Sequence, residues 1–255
     1  MQLNELTARI LAEDFDIVYL PIISTTTGEM RGAEALVRWP MGGGQFFPVE
    51  SAIGMIEGQP VELDLIRAIL HKSSLDWEAL GGFDRGLTLA VNASPAAFTE
   101  ELPALVQDGW PMLDLLVVEM TERLKVPFYD SIEACVAQLK GMGVRVALDD
   151  YTGTVECVGK LVGIEIDHVK LDRSIMLASD HTPTVFHQAT WLAKSMRRSI
   201  TAEGVENAAH LMAVAKAGIH YWQGYLATKP LPAFQLAEWV KETGGRYCLP
   251  VEMPQ

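Results

Sequence analysis

The stretch LLVVEMTERLKVPFYDSIEACVAQLKGMGVRVALDD (115–150) decides the fold. It opens on LLVVEM (115–120) and closes on VRVALDD (144–150), two short runs rich in Val and Leu. LLVV is apolar on both faces, as a strand covered by helices must be. Between the runs, FYDSIEACVAQLKGM (128–142) spaces its apolar residues as an amphipathic helix does. A strand, a helix and a strand in succession make two parallel strands, because a crossover of about a dozen residues or more returns the chain to the same end of the sheet.

The same unit recurs on either side. Strand-like runs stand at FDIVYLPII (15–23), RGAEALVRW (31–39), LTLAVN (87–92), IDHVKL (166–171), SITAEGV (199–205) and IHYWQGY (219–225). Helical spacing appears at 60–80, 95–107, near 155–163, at 184–196 and 206–218, and again after Pro230 and Pro232. About eight strands in 255 residues fit an α/β fold, a single (β/α)8 TIM-like barrel, for which about 250 residues are typical. The first two strands are joined by STTTGEM (24–30), a turn containing Gly28 with no helix, so they pair as an antiparallel hairpin and the barrel holds one reversed strand near its N-terminus. MGGGQ (41–45) follows Trp39 and Pro40 and reads as a flexible loop. An open doubly wound sheet is the other arrangement, but its glycine-rich phosphate turn is missing. Residues 1–255 are expected to form one domain.

With 49% hydrophobic and 21% charged residues, the chain is too apolar for disorder and long enough to bury a large core. The net charge of −13 opposes a broad groove for a nucleic-acid polymer, though metal ions can still invert the charge of a local site. Three separated cysteines (Cys135, Cys157, Cys248) with no CxxC pair suit a reducing cytoplasm. No signal peptide is legible, and no run approaches the roughly 18 apolar residues of a membrane span.

Polar residues interrupt these apolar strands near their ends: Glu34, Asn92, Glu119, the pair Asp149 and Asp150, Lys170, Glu203 and Gln223. A carboxylate in an apolar strand costs several kcal/mol unless it is paired, hydrogen-bonded or bound to a metal. One such residue is explained by capping of the next helix. Several at the ends of separate parallel strands converge on one mouth of a barrel, where catalytic groups of this architecture sit. Their mutual repulsion calls for cations, and oxygen donors of this kind suit Mg²⁺ or Mn²⁺. Adjacent aspartates could serve two metals, the usual clamp for phosphoryl displacement.

The same residues lie in blocks that resemble the EAL domain, the cyclic di-GMP phosphodiesterase domain of bacterial signalling. They are EALVRW (34–39), VNAS (91–94), VEMTE (118–122), LDDY (148–151), KLDRS (170–174), AEGVE (202–206) and QGYLATKPLP (223–232), in family order. The resemblance implies that Glu34, Asn92, Glu119 and Asp149 hold one cation, and Asp149, Asp150 and Glu203 a second. It gives Lys170 the task of positioning or deprotonating the attacking water, and sets Gln223 and Glu206 in the same cluster. Leu36 and Arg38 match substrate-binding positions, with the arginine on a phosphate, and Glu122 matches an anchor for the loop after the aspartate pair. The implied reaction is hydrolysis of cyclic di-GMP to linear pGpG with two divalent cations, Mg²⁺ or Mn²⁺, Ca²⁺ being inhibitory. The implied assembly is a homodimer.

The chain departs from the family pattern in three places. YTGTVECV (151–158) replaces the usual glycine-containing loop, Leu20 stands where the family has a base-contacting glutamine, and VESAIG (49–54) is altered. These departures leave two other readings open: a non-catalytic EAL domain that binds cyclic di-GMP or a protein partner, and an unrelated divalent-metal barrel enzyme. The histidines show no metal-ligand spacing, and Ser174, Ser195 and the cysteines lack the context of a nucleophilic triad.

Overall fold

The computed structural model describes residues 1–121, 129–154, 164–179 and 183–248. The chain opens with a helix that the sequence reading did not place, α1 (Leu3–Leu11), which buries Leu6 and Ile10. The hairpin follows as expected: β1 (Asp16–Ser24) runs antiparallel to β2 (Met30–Gly42), with Leu20 opposite Glu34. Gly28 supplies the positive φ of 71° that their short connection needs.

The segment read as a loop at 41–45 is instead the tip of a second hairpin, where β2 continues to Gly42 and pairs with β3 (Gln45–Phe47). Gly42, Gly43 and Gly44 all have positive φ, a run of backbone that only glycines take at no steric cost, so the composition of a loop served a tight turn. Then come α2 (Val49–Ile56), α3 (Val61–Leu80), β4 (Thr88–Ala93), α4 (Glu101–Gly109), β5 (Leu116–Thr121) and α5 (Tyr129–Gly141). The later elements are β6 (Arg145–Tyr151), β7 (His168–Leu171), α6 (Arg173–Ser179), α7 (Pro183–Ser195) and β8 (Ser199–Ala202). The last are α8 (Ala208–Lys216), β9 (Tyr221–Trp222), β10 (Leu231–Pro232) and α9 (Ala233–Thr243). The expected helix near 155–163 lies outside the described residues.

Eight strands close the barrel in the order β1, β2, β4, β5, β6, β7, β8, β9 and back to β1. Every neighbouring pair is parallel except the two that involve β1, which is the reversed strand. β10 completes the exposed edge of β1, pairing Val18 with Pro232. Strand periodicity then sorts the side chains. Ala33, Ala35 and Val37 of β2, Val118 and Met120 of β5, and Val169 and Leu171 of β7 are buried against the helical layer. The alternate residues point into the barrel, and they include the polar interruptions.

Candidate metal centre and cleft

Register places the inward residues side by side. Asn92 lies opposite Glu119, Glu34 opposite Ala90, Thr121 opposite Asp149, and Lys170 opposite Thr201. Adjacent residues of a strand normally face opposite ways, so Asp149 and Asp150 would diverge. A bulge intervenes: Leu148 pairs with Val169 and Tyr151 with Leu171, so β6 spends one residue more than β7 over that interval. Asp150 takes φ of 55°, the left-handed conformation that aspartate tolerates better than most residues. As a result both carboxylates meet Glu203, just beyond β8.

Lys170 is the hub. Its Nζ lies 2.8 Å from Glu119 Oε2, 2.8 Å from Glu203 Oε1, 2.9 Å from Asp149 Oδ1 and 3.2 Å from Glu34 Oε2, and its side chain is only 1% exposed. Gln223 Nε2 donates to Glu34 Oε2 at 2.7 Å and to Glu203 Oε1 at 3.0 Å, while Asn92 Nδ2 donates to Glu34 Oε1 at 2.8 Å. One ammonium therefore faces four carboxylates, and the protonation equilibria record the imbalance. Burial, reinforced by Asp149 and Glu34 and only partly offset by Lys170, pushes Glu203 up to about 8. Burial, against the pull of Lys170, also pushes Glu119 well up and Asp149 up. Burial acts on Glu34 as well, but Lys170 and the hydrogen bonds from Asn92, Gln223 and Lys170 outweigh it, so its pKa falls. The four carboxylates push Lys170 well above the usual lysine range, overcoming the opposite effect of its burial.

The donor set fits hard cations. Carboxylate oxygens of Glu34, Glu119 and Asp149 lie within 4.8 Å of one another, and so do those of Asp149, Asp150 and Glu203. The two groups share Asp149, and all donors are oxygens, the preference of Mg²⁺ and Mn²⁺. Gln223 Oε1 is buried with no hydrogen-bond partner among the described residues, leaving a polar atom ready for a further donor.

A cleft of about 270 Å³ opens beside these groups, bounded by Leu36, Arg38, Ile53, Asn92, Asp149 and Asp150. Its far walls, supplied by α2 and α3 and the turn between them, are mostly apolar but include Glu50, Glu57 and Glu62. Arg38 is half-buried and donates Nη1–H to Val37 O at 2.7 Å; burial lowers its pKa from the usual arginine range. Glu62, at the start of α3, is a wall residue that the sequence reading passed over. Its buried carboxylate accepts the Gly58 N–H at 2.8 Å and the Ser94 N–H at 3.0 Å, tying the α2–α3 turn to the end of β4. In sequence it is an ordinary first-turn acid with nothing to mark it out.

The profile of the EAL domain matches residues 3–230. The chain belongs to the EAL domain family. A probable cyclic di-GMP phosphodiesterase, PdeB of Escherichia coli (strain K12), is 26% identical over 240 residues, covering 90% of this chain and 45% of that protein. The cyclic di-GMP phosphodiesterase PdeL of the same organism is 29% identical over 240 residues, covering 88% of this chain and 65% of that one. This chain thus spans two thirds or less of these curated relatives. The PaMucR phosphodiesterase in its c-di-GMP complex superposes with a TM-score of 0.80 at 23% identity, over 92% of this chain and all of that one, a likeness of fold.

Within this EAL fold, the residues expected to gather at the mouth separate into two sets. Glu34, Asn92, Glu119, Asp149, Asp150, Lys170, Glu203 and Gln223 are brought together, with Leu36 and Arg38 on the adjoining cleft. Glu206 has other partners: its Oε1 accepts Arg173 Nη2 at 2.6 Å, and its backbone N–H donates to His210 Nδ1. Gly204, with φ of 65°, turns the chain between Glu203 and Glu206, and Arg173 packs against that turn. Glu122 lies outside the described residues. Leu20 is half-buried on the inward side of β1, opposite Glu34. No helix among the described residues is long and apolar enough to cross a membrane.

Proposed function

We propose that this EAL domain hydrolyses cyclic di-GMP to linear pGpG with two divalent cations, Mg²⁺ or Mn²⁺, and that Ca²⁺ inhibits it. The observation that carries the reading is the pair of oxygen clusters sharing Asp149 around Lys170, beside a cleft that holds an arginine. Glu34, Asn92, Glu119 and Asp149 would hold one cation, and Asp149, Asp150 and Glu203 the other. Bound there, such cations neutralise charge on phosphoryl oxygens and lower the pKa of water. The chain's own residues do the rest. Arg38 pairs with a phosphate of the cyclic dinucleotide, and Leu36 with the apolar walls receives a base. Lys170 Nζ stays protonated while four carboxylates face it, so it serves as a hydrogen-bond donor that orients the water. Gln223 fixes Glu34 and Glu203 relative to each other. The setting is a cytoplasmic homodimer, in keeping with the unpaired cysteine usage and the family's habit.

Leu20 favours a second reading, a cyclic di-GMP receptor without turnover, because an apolar residue beside Glu34 offers a base edge no hydrogen bond. Incubating the purified chain with cyclic di-GMP and Mn²⁺, with the product followed by chromatography, separates the two. Conversion to pGpG is expected, and Glu34→Ala should lower turnover at least about 100-fold, the scale of a lost metal-site group. Tight binding of cyclic di-GMP with no product under any cation would establish the receptor instead.

A further inference from the structure

The inward positions of the lower barrel are unlike those of an ordinary barrel, whose interior is filled by layers of branched aliphatic side chains. Here the lower layers carry Gly32, Thr88, Ala90, Ser199 and Thr201, small or hydroxylic, beside the larger Ile22, Val117, His168 and Tyr221. They leave a well of about 330 Å³ that opens at the N-terminal ends of the strands, opposite the cleft, and reaches up to the underside of Glu119. Arg145 stands at an inward position, since it pairs with Val117 in the register that turns Glu119 and Asp149 inward. It lines the well together with Arg31 and His168. Arg145 Nη2 donates to the Asp114 carbonyl at 2.7 Å, and the guanidinium makes no ion pair among the described residues. Among the described residues Arg31 pairs only with Glu29, at 3.2 Å, and Glu29 is shared with Arg246.

The acids that touch the well are already committed. Asp167 Oδ1 is 2.5 Å from Lys140 Nζ, and its Oδ2 accepts the Val146 N–H at 3.0 Å. Glu119 is held by Lys170 at 2.8 Å. The well therefore presents the Arg145 guanidinium with no carboxylate to answer it among the described residues, beside Arg31, which Glu29 holds, and the Ser199 hydroxyl, in a chain whose net charge is −13. We propose that this well is a second binding site, separate from the cleft, for a small tetrahedral oxyanion of the phosphate class. Arginine forks and hydroxyl donors match the acceptor oxygens of such an anion.

The test titrates inorganic phosphate into the full chain in the presence of a chelator, by calorimetry and by amide NMR shifts. Saturable one-site binding is expected, with shifts confined to residues at the N-terminal ends of the strands. Arg145→Ala and Arg31→Ala should each weaken binding at least about tenfold, the effect of losing a charge-assisted pair. Arg38→Ala, in the cleft, should leave phosphate binding unchanged. No saturable binding up to about 10 mM, indifference to both Arg145→Ala and Arg31→Ala, or loss on Arg38→Ala would overturn the proposal. Turnover is not read in this experiment, so its outcome is independent of the phosphodiesterase assignment.

Discussion

The ammonium of Lys170 meets oxygens of Glu34, Glu119, Asp149 and Glu203, so a single positive charge stands against four acids in a buried site. The remaining negative charge must be neutralised, by protons or by added cations. This fixes the sign of a pH effect. An acid whose pKa rises on folding binds a proton that the unfolded chain has released, so stability falls as pH climbs from the ordinary 4.5 to the folded value of about 8 for Glu203. Glu119 and Asp149 shift in the same direction, while the lowered Glu34 acts below this window and the raised Lys170 above it. With chelator present, the melting temperature should be lower near pH 8.5 than near pH 5.5 by at least about 5 °C, and excess Mn²⁺ should erase the difference. Thermal melts across that range check this, and a melting temperature indifferent to both pH and Mn²⁺ would contradict it. Most of the cluster was legible because each member breaks an apolar run at an inward position. The Arg173 contact of Glu206 was not, because AEGVE shows neither the turn at Gly204 nor the approach of Arg173, which comes from another part of the chain.

The bulge in β6 and the hairpin at the N-terminus decide where the functional groups point. The sequence announced both β1 and β2 as strand-like runs joined by a glycine turn, and it placed Asp149 and Asp150 at a strand end. It could not announce the bulge, since a one-residue insertion is a relation between two strands and not a property of either. For the same reason β3 was missed, because three glycines look alike in a loop and in a tight hairpin. Gly32 is a sharper element-scale requirement. A Cβ there would lie 2.2 Å from the Thr88 carbonyl oxygen, a backbone atom of the neighbouring strand that cannot swing away. Gly32→Ala should cost about 1–3 kcal/mol, the range of overpacking in a filled interior. Gly42→Ala, at the open hairpin tip where no atom of the described residues lies within 4 Å, bears only the left-handed backbone penalty and should cost about 1 kcal/mol. Chemical denaturation of the two variants checks the ranking, and an equal or reversed order would show that β2 and β4 are not held as closely as described.

At the scale of the molecule, seven strands running one way carry their polar ends to one mouth, and the reversed β1 closes the ring without adding an acid there. The repeated strand and helix units made the barrel legible from the sequence, and the blocks from EALVRW (34–39) to QGYLATKPLP (223–232) made the family legible. What the sequence could not give is the hollow lower barrel, because small inward residues become a cavity only when all the strands are assembled. The acidity of the mouth is an arrangement for cations under this account, and anomalous diffraction from a Mn²⁺-soaked crystal tests that directly. Two peaks are predicted, one among Glu34, Glu119 and Asp149 and one among Asp149, Asp150 and Glu203. A crystal saturated with Mn²⁺ that shows no peak at either position would contradict the account.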